Sequence, residues 1–470
     1  MRKKQIDKNT KSVEISEANS APAGRRRREP IQLSDSFGYG RLIRFTVPSI
    51  AMMVFTSIYG VVDGLFVSNF VGKTPFAAIN LIFPLIMIMG AVGFMIGTGG
   101  TAIVAKTFGM GDAKLANRYF SFLVYATVAA GVILAAIGIF CARPIARFLG
   151  AEGEMLEYCV VYARIVLAAL PFFMLQNVFQ SFFITAEKPK IGLWVIVAAG
   201  VTNMALDALF VAVFSWGLEG AAFATAISQC VGGAVPLLYF ARENGSTLRL
   251  GRTEYYGRTL LATCVNGSSE LMSNISSSVV TILYNYQLMR FAGEDGIAAY
   301  GAMMYVGFIF VAIFIGFVMG ASPVVSFHYG AGNRDELRSL YGKSLRIVGV
   351  TGVTMALLAV LLSRPLSMLF VGYDEALFEL TARGFLIFSL HFLICGFNIF
   401  GSAFFTALNN GAVSAAISFL RTLVFQCLSV LVLPIFFGLD GVWFSIVAAE
   451  LGALAVTVTF LILKKKKYGY

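Results

Sequence analysis

Apolar runs too long for an ordinary soluble core recur twelve times along this chain of 470 residues. A helix needs about 20 mainly apolar residues to cross the hydrocarbon of a bilayer. Runs suited to that task occupy 42–70, 76–105, 119–140, 158–185, 191–216, 218–240, 259–289, 297–327, 344–363, 378–407, 412–436 and 440–463. In lipid every backbone N–H and C=O must be paired within the protein, and a helix pairs them inside one segment. The sequence therefore predicts an all-α integral membrane protein with twelve transmembrane helices. Composition agrees, with 58% hydrophobic and 13% charged residues, against about 25% charged in a soluble domain.

Lysine and arginine are unevenly shared between the two faces of such a protein. Twenty-eight fall on the face that holds both termini, in the tails and in the loops after spans 2, 4, 6 and 8, and seven on the other. That bias predicts cytoplasmic termini in a plasma (inner) membrane. The net charge of +11 resides mainly in these tails and loops. It suits an anionic bilayer surface, and no nucleic-acid partner is expected. The six cysteines form no CxxC and no zinc-like spacing with histidine, so they read as apolar filler. GTGG at 97–100 lies within a span and lacks the lysine of a P-loop. ATP hydrolysis is not expected, no cofactor is implied, and any pumping would draw on an ion gradient.

The chain also repeats itself. GLEGAAF at 217–223 matches GLDGVWF at 438–444, a shift of 221. The same shift aligns FGMGD at 108 with YGAGN at 329, ARP at 142 with SRP at 363, and SFFITA at 181 with SAFFTA at 402. It also aligns VGKTPFAA at 71 with AGEDGIAA at 292. Each copy holds six spans. An even number makes both copies enter from the same face, which predicts two six-helix lobes related by a pseudo-two-fold along the membrane normal. The expected organisation is a basic cytoplasmic tail (1–40), an N-terminal lobe (41–241), a cytoplasmic linker (242–258), a C-terminal lobe (259–463) and a basic tail (464–470).

Charges embedded in the spans are costly and are functional by default. Asp63 lies seven residues before the outer end of span 1, and Asp207 nine before that of span 5. At 1.5 Å per residue both sit roughly 10–14 Å inside that boundary. Asn203 is one turn from Asp207 on the same face, and Thr225 in span 6 reaches a similar depth. Two carboxylates, an amide oxygen and a hydroxyl suit a hard cation such as Na⁺, or a shared proton. The shift of 221 turns this set into Tyr284, Val424, Leu428 and Ile446, so the second copy lacks it. A shift of 219 in the first span gives Ile282, also not acidic. An architectural need would be expected in both copies, and the asymmetry points to function.

Pro48 in span 1, NMALD in span 5, Thr225 after GLEGAAFA in span 6 and the duplicated six-span halves together resemble the MATE family of multidrug and toxic compound extrusion transporters. The likeness covers about Arg41 to Leu463 and is greatest for the branch with a cation site in its N-terminal lobe. It implies secondary active efflux of amphipathic, often cationic compounds by Na⁺ or H⁺ antiport. By position it implies that Asp63, Asn203, Asp207 and Thr225 form the coupling-ion site, and that span 1 bends at Pro48.

The second half carries its own charges, Glu270, Arg421 and Glu450, all near the midplane. An Arg–Glu pair is the structural reading. Glu270 also resembles the span-7 glutamate of another branch of the family. That branch adds an aspartate in span 10, where this chain offers only His391 and Asn398. A substrate path between the lobes would be lined by Gln176, Asn177, Gln180 and Asn274. The competing reading, a lipid-linked oligosaccharide flippase of the same architecture, would need a basic central cavity, and Arg421 is the single deep cation. An enzyme is not expected, because two histidines and no acid–His motif offer no nucleophile–base pair. The bilayer and small amphipathic molecules are the expected partners, and a monomer is the expected state.

Overall fold

The computed structural model describes residues 31–372 and 374–470, so most of the basic tail expected at 1–40, including Arg25 to Arg28, lies outside the described residues. The described residues are almost wholly helical. Span 1 is Tyr39–Phe70, span 2 Lys73–Gly109, span 3 Ala113–Phe148 and span 6 Gly217–Ala241. Span 4 is a pair of helices, Gly153–Ala168 and Leu170–Thr185, bent by 53°. Span 5 is α-helical over Pro189–Asp207 and continues as a π turn over Ala208–Val213.

The second half follows the same plan. One helix of 74 residues, Gly257–Gly330, would be about 110 Å long if straight, over three times the thickness of bilayer hydrocarbon. It breaks at the non-helical Gly293 into spans 7 and 8. Span 9 is Arg334–Val371, and span 10 is the bent pair Glu375–Ser389 and Phe392–Ala407, at 48°. Span 11 begins at Gly411, passes a π segment over Leu420–Phe425 and ends at the break at Gly438, where span 12 starts and runs to Tyr468. Eight helices among the described residues are apolar and long enough to cross; with the two bent pairs and the two broken double-length segments, twelve spans result. Several helices outrun the apolar stretches read from sequence by polar turns at their ends.

The duplication is visible in small devices. Gly111 and Gly332, 221 apart, both take positive φ (88° and 69°), a conformation that side chains disfavour. The residues after them cap the next helix: Asp112 accepts from the Leu115 N–H at 2.9 Å, and Asn333 from the Glu336 N–H at 3.1 Å. The shift is not uniform. Tyr39-Gly40-Arg41 and Tyr256-Gly257-Arg258 begin spans 1 and 7 at a shift of 217, and contacts agree. Gly99 abuts Thr263 and its counterpart Gly320 abuts Thr46. Spans 1, 2, 7 and 8 thus form the seam between the halves.

Glycines let the helices of this seam touch backbone to backbone. A Cβ on Gly267 would lie 1.9 Å from the Met95 carbonyl, and one on Gly316 2.4 Å from Ile50 Cα. With no hydrophobic drive between helices in lipid, such close packing is a main source of association. The linker is a sewn strip rather than a free tether. Asn117, Ser121 and Tyr125, one turn apart on span 3, hold it. Asn117 Nδ2 donates to the Thr247 carbonyl (3.2 Å), and the Arg249 N–H donates to Asn117 Oδ1 (2.8 Å). The Gly251 N–H donates to Ser121 Oγ (3.0 Å), and the Tyr125 hydroxyl to the Gly251 carbonyl (3.2 Å). Thr253 Oγ1 donates to the Arg118 carbonyl (2.8 Å), and Tyr256 packs edge-on against Tyr119 at 5.0 Å.

Candidate ion site and central cavity

Span 5 stays α-helical until Asp207 and changes to π geometry one residue later, a local irregularity common at functional sites. Asn203 and Asp207 point together into the N-terminal half and are buried. Span 1 approaches because Gly200 leaves room. A Cβ there would fall 2.6 Å from Phe55 Cε1 and 3.1 Å from Tyr59 Cδ1. The approach sets Asp63 beside Asp207 and Asn203. Among the described residues, Asp63 Oδ1 and both carboxylate oxygens of Asp207 are buried without a hydrogen-bond partner. Unpaired buried carboxylates are expensive, and two side by side cannot both ionise without a compensating positive charge. The donor set fits a proton or a small hard cation. Among the described residues no three His, Cys, Asp or Glu side chains gather as a transition-metal site would require.

Two tyrosines complete this layer. Tyr59, one turn before Asp63, lies beside Gln176. Tyr162 from span 4 lies beside Thr225 and near both aspartates. Tyr162 is thus a neighbour of both Thr225 and the acid pair. Sequence reasoning missed both phenols. Tyr59 was accessible through its i, i+4 spacing to Asp63, whereas nothing local announces Tyr162.

The second half pairs two of its three midplane charges with each other. Arg421 Nη2 lies 2.8 Å from Glu450 Oε1, and Nε donates to both carboxylate oxygens at 2.8 and 3.0 Å. Asn398 Nδ2 donates to Glu450 Oε2 at 2.7 Å. Spans 10, 11 and 12 are thereby tied around one satisfied ion pair. Glu270 is not part of it, so the three charges do not form a single cluster. His391 sits at the bend of span 10 with Nδ1 against the Phe388 carbonyl.

Glu270 instead faces a cavity of about 230 Å³ on the seam between the halves. Met53, Phe94, Thr98, Asn274 and Met319 share its wall, and among the described residues no Lys or Arg does. Of the side chains expected along a substrate path, Asn274 lines this cavity. Gln176, Asn177 and Gln180 are buried behind it, Gln176 against Gly232 and Gln180 with Nε2 at 3.2 Å from Met53 Sδ. Pro48 is buried inside an otherwise continuous span 1.

Two six-helix halves around a seam cavity, with an acid pair in one half alone that no described residue compensates, define a multi-pass membrane transporter. The family model MatE matches residues 48–209 and 271–432, once in each half, and the chain belongs to this family. It is 24% identical over 438 residues to the Multidrug export protein MepA of Staphylococcus saprophyticus, an alignment spanning 90% of this chain and 94% of that one. The MepA of Staphylococcus aureus is 22% identical over 427 residues, again spanning 90% and 94%. A solved structure described as the outward-facing conformation of a multidrug resistance MATE family transporter of the MOP superfamily superposes with a TM-score of 0.87. It is 21% identical and covers 92% of this chain and 97% of its own.

Proposed function

We propose that the protein exports amphipathic, often cationic compounds across the plasma membrane by Na⁺ or H⁺ antiport with alternating access. The observation that carries this reading is the pair Asp63 and Asp207, whose buried oxygens lack hydrogen-bond partners among the described residues. Asn203 and, through Tyr162, Thr225 complete the coupling site. Occupancy by a cation neutralises the pair, and the resulting difference in affinity between two lobe arrangements is what an ion gradient can exploit. Pro48 removes a helix hydrogen bond from span 1 and makes it the element that bends in response. The cavity supplies the drug site: thioether and aromatic side chains for promiscuous apolar contact, and Glu270 for a cationic group. Multidrug export is the activity named for the MepA relatives.

In this reading both termini and the linker are cytoplasmic, residues 41–241 and 259–463 are the two lobes, and one chain suffices for transport. An acidic cavity wall without Lys or Arg argues against carrying a lipid pyrophosphate. The test is dye efflux from proteoliposomes with a Na⁺ or an H⁺ gradient imposed separately. One of the two should drive uphill movement. Equal downhill leak under both, with no uphill component, sinks the antiport reading.

A further inference from the structure

The duplication creates two equivalent grooves on the basic face, and the described residues fill only one. In the first groove, residues 33–37 lie across both halves. The Leu33 N–H donates to Glu187 Oε1 at 2.7 Å, in the turn after span 4. The Asp35 carbonyl lies 3.2 Å from His328 Nε2, and the Asp35 carboxylate 3.7 Å from Arg41. The Phe37 N–H donates to Glu336 Oε1 at 2.8 Å, and Lys343 donates to the Phe37 carbonyl. Leu33 and Phe37 are buried.

The second groove repeats these positions. Asn409 occupies the same turn as Glu187, with φ of 57° against 60°. Thr107 stands for His328 and Lys106 for Phe327, at the shift of 221, and Arg258 stands for Arg41 in the repeated Tyr-Gly-Arg. Here the preceding segment is the linker, which is drawn away along span 3. A cavity of about 360 Å³ results, its wall including Lys106, Thr107, Tyr119, Arg258, Thr259 and Asn409 and, among the described residues, no carboxylate. Neither Lys106 nor Arg258 forms an ion pair among the described residues. Lys106 Nζ lies 5.3 Å over the Tyr329 ring.

We propose that this second groove binds the phosphate of an anionic phospholipid, with Lys106 of one half and Arg258 of the other on either side of it. In the first groove the equivalent arginine already meets an anion, the Asp35 carboxylate. Unpaired basic side chains between helices at the cytoplasmic level suit lipid phosphate. From the mouth, Leu261 and Val265 continue up span 7, one turn apart and 67% and 49% exposed, a track for an acyl chain. The only undescribed stretch longer than one residue, 1–30, carries Arg25 to Arg28 and has the wrong sign for this site. A bound lipid would join the halves on this edge as residues 33–37 join them on the other. The site does not depend on which ion drives transport.

The test uses the purified full chain in neutral detergent and follows thermal unfolding. Dioctanoyl phosphatidylglycerol should raise the melting temperature saturably, while dioctanoyl phosphatidylcholine and inorganic phosphate at equal concentration should not. Lys106→Gln with Arg258→Gln should weaken the apparent affinity roughly thirtyfold, about fivefold for each basic residue lost. Ala262→Phe keeps both charges and fills the cavity, so it should abolish the response even if the double variant fails to fold. Arg252→Gln, a basic change in the linker outside the cavity, should leave it intact. Saturation by inorganic phosphate at the same concentration would reassign the groove to a free anion and overturn the lipid. A phosphatidylglycerol response unchanged in the Ala262→Phe variant would overturn the site.

Discussion

Gly109 and Gly330, 221 positions apart, sit on each other's helices at the basic ends of spans 2 and 8. A Cβ on Gly109 would lie 2.0 Å from the Phe327 carbonyl oxygen, and one on Gly330 2.1 Å from the Lys106 carbonyl oxygen. Phe327 is itself the counterpart of Lys106, so the contact is its own image across the pseudo-two-fold.

The colliding atoms are backbone, so no side chain can turn aside. Gly109→Ala and Gly330→Ala should each force the basic ends apart and disfavour the arrangement closed there. Spin labels on the basic ends of spans 2 and 8 should report a longer distance in both variants, and efflux should fall at least tenfold. Parental distances and rates in both would mean that the seam can slide at no cost.

Asp63→Asn and Asp207→Asn remove the charge and keep the shape. Each should abolish gradient-driven efflux while the protein inserts and purifies folded. The melting temperature of the parent should rise with the coupling ion, and that of either variant should be flat. Tyr284→Phe, at the corresponding depth of the second half, should have a much smaller effect. Uphill pumping by both Asn variants would move the coupling site toward Glu270.

Arg421→Met leaves Glu450 buried and unpaired, which typically costs about 3–5 kcal/mol. The double change Arg421→Met with Glu450→Met should recover most of that loss, because a well-packed apolar pair is often as stable as a buried ion pair. Thermal unfolding of the three variants decides. If the double variant melts no higher than the single, the pair does more than balance charge.

Glu187 lies in the turn outside the membrane, and burial pushes its carboxyl above the ordinary value of 4.5, partly opposed by the Leu33 N–H. An acid with a raised folded pKa holds its proton longer in the folded state than in the unfolded one. Its contribution is most favourable at pH below the ordinary value and is lost as pH rises toward the folded one. Glu187→Gln can still accept from Leu33 without a charge to bury. It should melt higher than the parent at neutral pH, and the gap should close on acidification. A gap that widens toward low pH would refute the burial argument.

The spans and their duplication were legible because lipid imposes a length and a polarity that show in any window of the chain. The i, i+4 pair Asn203 and Asp207 was legible for the same local reason. The bends of spans 4 and 10 and the two π segments were not, since they arise where neighbouring helices compete for space. Nor was the choice of partner for Arg421. Glu270 and Glu450 both lie near its depth, and only rotation about the helix axes sends one toward it and the other into the seam. The four-residue change in shift between the starts of spans 1 and 7 and the following loops was hidden because an added helical turn leaves the apolar pattern unbroken.

The sewn linker has a mechanical consequence. Its last anchors, Thr253 and Tyr256, leave no slack before the helix that starts at Gly257. An opening between the halves would pivot about this border, as pages turn about the spine of a bound book. The widest gape would then fall on the far margin, where residues 33–37 are the clasp.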